Sequence, residues 1–247
     1  MAGHPEHSEG SLTLLFVRLS SQRSALFFHR ETRSHRGSRQ DSPFSKEPSK
    51  YQKAFKQGAT IVPISLYFVR IPDLDGKIDP DKVYWAETDP AQAEEAKKPY
   101  KDVRVDGLVE GRFIYSSALA RHLLPFVVLE PATVVLPYEL KNHLLYVRNP
   151  EALRNLGYRE FAKWMVKAET IWHEKRGGKA AKQTLYQRLD YQRELTRQDL
   201  SQRHLVIYNA AGTNVSASRF DRQAYPLRLI VEYKLYWIAV ADEDEVS

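Results

Sequence analysis

The chain has 247 residues, no cysteine, 37 Lys and Arg against 31 Asp and Glu, and 43% hydrophobic residues. That length holds one large domain or two small ones around a buried core, and a mean hydropathy of -0.52 is too polar for a membrane protein. The lack of cysteine excludes disulfides, thiolate nucleophiles and Cys-ligated zinc or iron–sulfur sites, so any metal site must use His and carboxylates.

Residues 1 to about 42 are rich in Ser, Arg and His and show no sustained period, which predicts a disordered leader not native to the fold. Leu12 to Val17 followed by Arg18, Arg23, Arg30, Arg33, Arg36 and Arg39 has the composition of an organellar transit peptide. The acidic Glu6 and Glu9 ahead of so short an apolar patch exclude a secretory signal. His4, His7, His29 and His35 fit no metal-ligand spacing. The longest uncharged apolar run, Thr60 to Val69, is about half the roughly 20 residues a membrane-spanning helix needs. A cytoplasmic protein is expected.

From residue 43 a single domain is expected to run to residue 247. Thr60 to Arg70 reads as a β-rich run in which Pro63 marks an edge strand or bulge. Val83-Tyr84-Trp85 is a short strand, and Asp89 to Lys98 an exposed loop or one short helix. Val103 to Val109 and Arg112 to Tyr115 are strand candidates, with Ser116 to Leu124 as a helix closed by Pro125. Phe126 to Leu136 reads as two buried strands split by Pro131, followed by a strand at Leu144 to Val147.

The period then turns helical, giving a block over about 150–202. Pro150 opens one helix, Gly157 ends it, and Tyr158 to Lys175 repeats apolar residues at Phe161, Trp164, Met165, Ala168, Ile171 and Trp172, a core-facing stripe. Ala180 to Gln202 has few aliphatic residues and reads as a solvated helical or mixed stretch. Leu205 to Tyr208, Val215 to Phe220, Leu227 to Tyr233 and Leu235 to Val240 are four closing strands. Strands on both sides of one helical block predict an α+β fold, with a mixed sheet assembled from distant parts of the chain.

Charge is unevenly placed along this order. The net charge is +6, and Lys141 to Arg203 holds 14 Lys and Arg against 7 Asp and Glu, which supplies the whole excess and points to a polyanionic partner. A Walker loop, a G-x-G-x-x-G turn, a G-x-S-x-G elbow and an H-E-x-x-H helix are all absent. One loose catalytic pattern remains: Asp221 precedes an apolar strand ending in Glu232-Tyr233-Lys234, the D…E-x-K arrangement in which carboxylates hold Mg²⁺ and a lysine positions water for nuclease cleavage.

Several segments, in order, carry a resemblance: Lys56 to Pro63 leading into Leu66 to Val69, Val109 to Tyr115, Leu123 to Phe126, Leu189 to Thr196, Val206 to Asn214, and Tyr233 to Trp237. Together they resemble the target-recognition region of large bacterial and archaeal N6-adenine DNA methyltransferases, including the fused Type IIG restriction–modification enzymes and related phage-defence methylases. Such enzymes carry a glycine-rich cofactor motif and an N-P-P-Y or D-P-P-Y tetrapeptide that holds a flipped adenine. Here the closest strings are Asn149-Pro150-Glu151 and Lys98-Pro99-Tyr100, and Ile64 stands where the family tends to have arginine.

The resemblance therefore implies a noncatalytic recognition module, split off from or truncated out of a methyltransferase whose other half binds S-adenosylmethionine. Its partners would be double-stranded DNA and that catalytic half. Lys179, Lys182, Arg188, Gln192, Arg193 and Arg197 are the expected contacts of the helical block, with Gln187, Gln198, Gln202 and Arg203 beside them. Tyr208, Asn209, Thr213 and Asn214 form a second expected contact, on a turn where Gly212 permits positive φ. The alternatives are the Mg²⁺-dependent nuclease of Asp221, Glu232 and Lys234, with catalysis in this chain, or an inactive remnant.

Overall fold

The computed structural model describes residues 54–72, 77–141, 144–210 and 216–240; the expected leader lies outside them. In chain order the elements are β1 (Lys56–Gln57), α1 (Ile64–Tyr67), β2 (Val69–Arg70), β3 (Val83–Thr88), α2 (Pro90–Ala93), β4 (Asp106–Glu110) and β5 (Ile114–Ala118). Then come β6 (Leu123–Leu124), β7 (Val127–Val128), β8 (Ala132–Val135), β9 (Tyr138–Lys141), β10 (Leu144–Val147), α3 (Pro150–Asn155), α4 (Arg159–Lys175) and α5 (Leu185–Leu189). Strands β11 (His204–Asn209), β12 (Ala217–Asp221), β13 (Leu229–Val231) and β14 (Leu235–Val240) close the order. The fold is α+β.

Two sheets organise the molecule. An antiparallel sheet runs β1-β14-β11-β12, and a mixed sheet runs β13-β5-β8, with β13 parallel and β8 antiparallel to β5. A parallel bridge between Ala59 and Glu232 ties the chain after β1 to the end of β13. A third sheet, β2-β3-β4, joins the mixed sheet through the Phe68–Val134 bridge. Gly58 sits where the first two sheets meet: a Cβ there would come within 2.3 Å of the Glu232 carbonyl oxygen, so only glycine fits.

Helix α4 forms because its apolar residues repeat at helical spacing. It buries Phe161, Ala162, Trp164, Met165, Ala168 and Trp172 in the main core, as expected of the aromatic stripe. Tyr158 precedes it without a side-chain cap. The orphan N–H groups of Glu160 and Phe161 donate instead to the Glu110 carboxylate, at 3.0 and 2.7 Å. This acid from β4 caps the helix and complements its dipole.

Two expectations are overturned. Thr60 to Arg70 is not one strand: Ile64–Tyr67 makes a helical turn in which Ser65, Leu66 and Tyr67 are all buried, a run that a one-sided strand does not allow. The Trp164 indole N–H donates to the Leu66 carbonyl at 3.1 Å, so docking of α4 outweighs local β preference. Ser116 to Leu124 is not a helix: β5 runs from Ile114 to Ala118 with every residue buried between β13 and β8, and a short 3₁₀ turn at Ala120–His122 follows. Central placement in the sheet decides it.

A candidate nucleic-acid interface

Of the expected contact residues of the helical block, Gln192, Arg193 and Arg197 lie on a short stretch after α5, Arg188 is in the last turn of that helix and Lys182 precedes it. Thr184 opens that helix with a reciprocal cap, its Oγ1 accepting from the Gln187 N–H at 3.1 Å while the Gln187 Oε1 accepts from the Thr184 N–H at 2.9 Å. Gln187 is therefore committed to the helix end. Residues 190–196 then fold tightly around one carboxylate. Asp190 Oδ1 accepts from the Leu195 and Thr196 N–H groups, and Oδ2 accepts from the Thr196 hydroxyl at 2.8 Å.

Gln198 fastens this loop to the sheet. Its side chain is buried and pairs with the free edge of β13, with Nε2 donating to the Val231 carbonyl at 2.9 Å and Oε1 accepting from the Val231 N–H at 2.9 Å. The amide stands in for a strand. Glu194 is turned inward, its carboxylate accepting from the Thr60 hydroxyl at 3.4 Å, and burial pushes its pKa up. Gln202 hydrogen-bonds the Asp199 carboxylate at 3.3 Å.

What remains on the outside is Tyr191, Gln192 and Arg193, all exposed. Gln192 and Arg193 hold φ of 54° and 59°, consecutive left-handed residues without a glycine. Each costs about 1–2 kcal/mol in this conformation, and such strain persists only where the surroundings impose it. Arg188 lies over the Tyr191 ring at 5.9 Å, and Arg197 and Lys182 are exposed. Lys182, Arg188, Arg193 and Arg197 make no ion pair among the described residues, whereas Arg148 and Lys163 of the same basic stretch are matched to Glu139 and Glu160. Of the four glutamines, Gln192 alone has no hydrogen-bond partner among the described residues. No family model and no curated protein matches this chain. The site therefore stands on its own geometry.

The other expected residues are placed differently. Tyr208 is buried, edge-on to Phe55 and stacked on Tyr236. Asn209 closes its turn by accepting the Ser216 N–H on Oδ1 at 3.0 Å. Thr213, Asn214 and the Lys179 side chain lie outside what is described. Arg203 grips Asp221 through Nε and Nη2, which lowers the Asp221 pKa to about 2. Tyr115 is core, and Arg112 is held by Asp81 and Tyr158.

The nuclease constellation does not assemble. Asp221 lies opposite His204, which lies opposite Val240. Lys234 stands just before the start of that strand, six positions from Val240 and about 20 Å away at ~3.3 Å per residue. Glu232 and Lys234 instead line a cleft of about 70 Å³ with Glu95, Arg121 and Gln92. Burial there pushes Glu232 up to about 7. Among the described residues no group of three or more His, Asp or Glu is placed to hold a metal ion, and no helix is long and apolar enough to cross a membrane.

Residue counting missed the parts that make the display rigid. Asp190, Gln198 and Glu110 act through contacts 5 to 50 residues away in sequence, and no local spacing announces them. A second feature went unnoticed because it falls outside the basic stretch: an exposed apolar turn, with Leu124, Phe126, Val127 and Leu129 at the surface and Phe126 71% exposed. Phe126, Val127 and Leu129 are expected inside a buried strand, and Leu124 at the end of a helix. Phe126 has φ of 68°, which turns it outward between β6 and β7.

Proposed function

We propose that the chain is a noncatalytic DNA target-recognition module that gives sequence specificity to an N6-adenine DNA methyltransferase or restriction–modification complex. S-adenosylmethionine and the adenine pocket belong to a separate catalytic domain or subunit. The observation that carries this reading is the strained, anchored loop that holds the Gln192 amide and the Arg193 guanidinium outward without partners among the described residues. Gln pairs with adenine and Arg with guanine along the major-groove edge, and both need a firm base to keep register. Lys182, Arg188 and Arg197 supply cations for the phosphates on either side. The exposed Leu124 to Leu129 turn supports the second part of the reading, a surface that packs against the catalytic half.

Fluorescence anisotropy of the full chain with a random-sequence duplex tests it. With three cations on phosphates, the slope of log K against log salt is about -2.7, a loss of roughly 40-fold between about 50 and 200 mM. Arg197→Ala lowers that slope by about 1. A slope near zero, or equal affinity for wild type and an Arg188→Ala/Arg193→Ala pair, refutes the proposal.

A further inference from the structure

The cleft of about 70 Å³ that holds Glu232 draws its polar lining from three parts of the chain. Gln92 and Glu95 come from α2 and the residues after it, and Arg121 from the 3₁₀ turn after β5. Glu232 and Lys234 come from the tight turn between β13 and β14, closed by the Leu235 N–H donating to the Glu232 carbonyl at 2.9 Å. Two of these groups are matched to each other. Arg121 pairs with the Glu95 carboxylate and donates a second bond to Gln92 Oε1.

Three polar groups are left over. Glu232 is 6% exposed, and its Oε2 accepts from the Lys234 backbone N–H at 3.1 Å. Its Oε1 has no partner among the described residues, yet it is not sealed in as the Tyr67 and Tyr138 hydroxyls are, so it opens on the cleft. Gln92 Nε2 is in the same position: Gln92 is 9% exposed, and of its amide only Oε1 is engaged. Lys234 is exposed, with its ammonium 5.7 Å from the centre of the Tyr233 ring and no ion pair among the described residues.

A carboxyl and an ammonium two residues apart thus line one small space without meeting. Burial disfavours the charged form of the carboxyl, which gains from a cation brought to its open oxygen. The ammonium gains from an anion. A ligand positive at one end and negative at the other satisfies both, and adds no net charge to a lining of two acids and two bases. Size narrows the class further. At roughly 10–15 Å³ for each water-sized group, the cleft holds roughly five to seven heavy atoms, the size of a small α-amino acid. Ile64, Leu119 and Ala120, all half-buried on the wall, offer apolar surface to a short aliphatic side chain.

We propose that this cleft binds a small aliphatic α-amino acid as its zwitterion, with the ammonium on Glu232 Oε1, the carboxylate taken by Lys234 Nζ and Gln92 Nε2, and the side chain against Ile64 and Leu119. The proposal is independent of whether the chain binds DNA.

Calorimetric titration of the full chain with L-alanine tests it, with ethylammonium chloride and sodium propionate as the two halves of the same molecule. Alanine is expected to bind saturably, and each half at least tenfold more weakly, because each forfeits a hydrogen bond to a charged group. Lys234→Met is expected to weaken alanine roughly tenfold and to leave ethylammonium no weaker. Lys234 is exposed, so this variant is expected to unfold at the wild-type urea concentration. Glu232→Gln is expected to weaken alanine at least as much and to leave propionate unchanged. The Glu232 carboxyl must be ionised to take the ammonium, and burial, opposed by Lys234 and Arg121 and reinforced by Glu95, raises it to about 7. Affinity is therefore expected to fall about tenfold from pH 8 to pH 6, a dependence that Glu232→Gln removes. No saturable heat with alanine at pH 8, ethylammonium or propionate binding as tightly as alanine, or an unchanged alanine affinity in Lys234→Met overturns the proposal.

Discussion

Replacing Gln198 by Met keeps the length and most of the volume of a side chain that is 1% exposed, and removes both hydrogen bonds to Val231. The two ends of that lost pair are not equivalent. The Val231 carbonyl keeps its bond from the Ala59 N–H at 2.7 Å, so it loses one partner of two, worth about 1 kcal/mol. The Val231 N–H has no other acceptor among the described residues, and Val231 is 0% exposed, so the N–H is stranded in the core at about 1–3 kcal/mol. The expected loss is about 2–4 kcal/mol, or a fall in Tm of roughly 5–15 °C for a chain of this size. Urea unfolding followed by tryptophan fluorescence reads it directly, since Trp164, Trp172 and Trp237 are buried in the core. Because the same amide holds down residues 190–196, duplex affinity should fall with it although no exposed side chain has changed. A stability change below about 0.5 kcal/mol would show that the amide is not a strand substitute.

Other outcomes follow from the same geometry. Gln192→Gly relieves a left-handed residue and should leave stability unchanged or raise it by about 1 kcal/mol while weakening duplex binding; denaturation and anisotropy on one sample separate the two, and a loss of stability would contradict the strain. Gly58→Ala drives a methyl into the Val231 and Glu232 carbonyls and should cost about 3 kcal/mol or more, seen as loss of cooperative unfolding; a normal melt would count against it. Glu232 is raised to about 7 by burial, opposed by Lys234 and Arg121 and reinforced by Glu95. The folded chain therefore holds a proton that the unfolded chain releases near its ordinary value. Stability should fall as pH rises from about 4.5 to 7, on the order of 3 kcal/mol. Glu232→Gln should flatten that decline, as urea midpoints at pH 5 and pH 8 would reveal; parallel slopes in the two proteins would refute it.

Where the chain's own period decides structure, the sequence was readable. Helix α4 was expected to within a residue of its observed bounds, and β14 runs over the expected Leu235 to Val240. Asn149 with Pro150 marks the start of α3, and Gly157 leaves it with φ of 92°. The failures lie where tertiary position overrides local preference. Ser116 and Ser117 sit mid-sheet because β13 and β8 flank them, and Leu66 is helical because Trp164 reaches its carbonyl. At the site, side-chain type was the wrong guide to side-chain direction. Gln187, Gln192, Gln198 and Gln202 look alike in sequence, yet one caps, one points outward, one substitutes for a strand and one holds an aspartate.

The pairing of β1 with β14 has a consequence in time. Lys56 lies opposite Trp237, with about 180 residues between them, so at ~5–20 residues per second a ribosome needs roughly 10 to 40 s to deliver the partner of the first strand. During that interval the loop at 190–198 also lacks its anchor, because Val231 comes 33 residues after Gln198. Cutting β1 to two residues leaves little open edge to recruit a neighbouring chain while it waits. The display of Gln192 and Arg193 is thus among the last features a newborn molecule acquires, after helix α4 has had time to form its own turns.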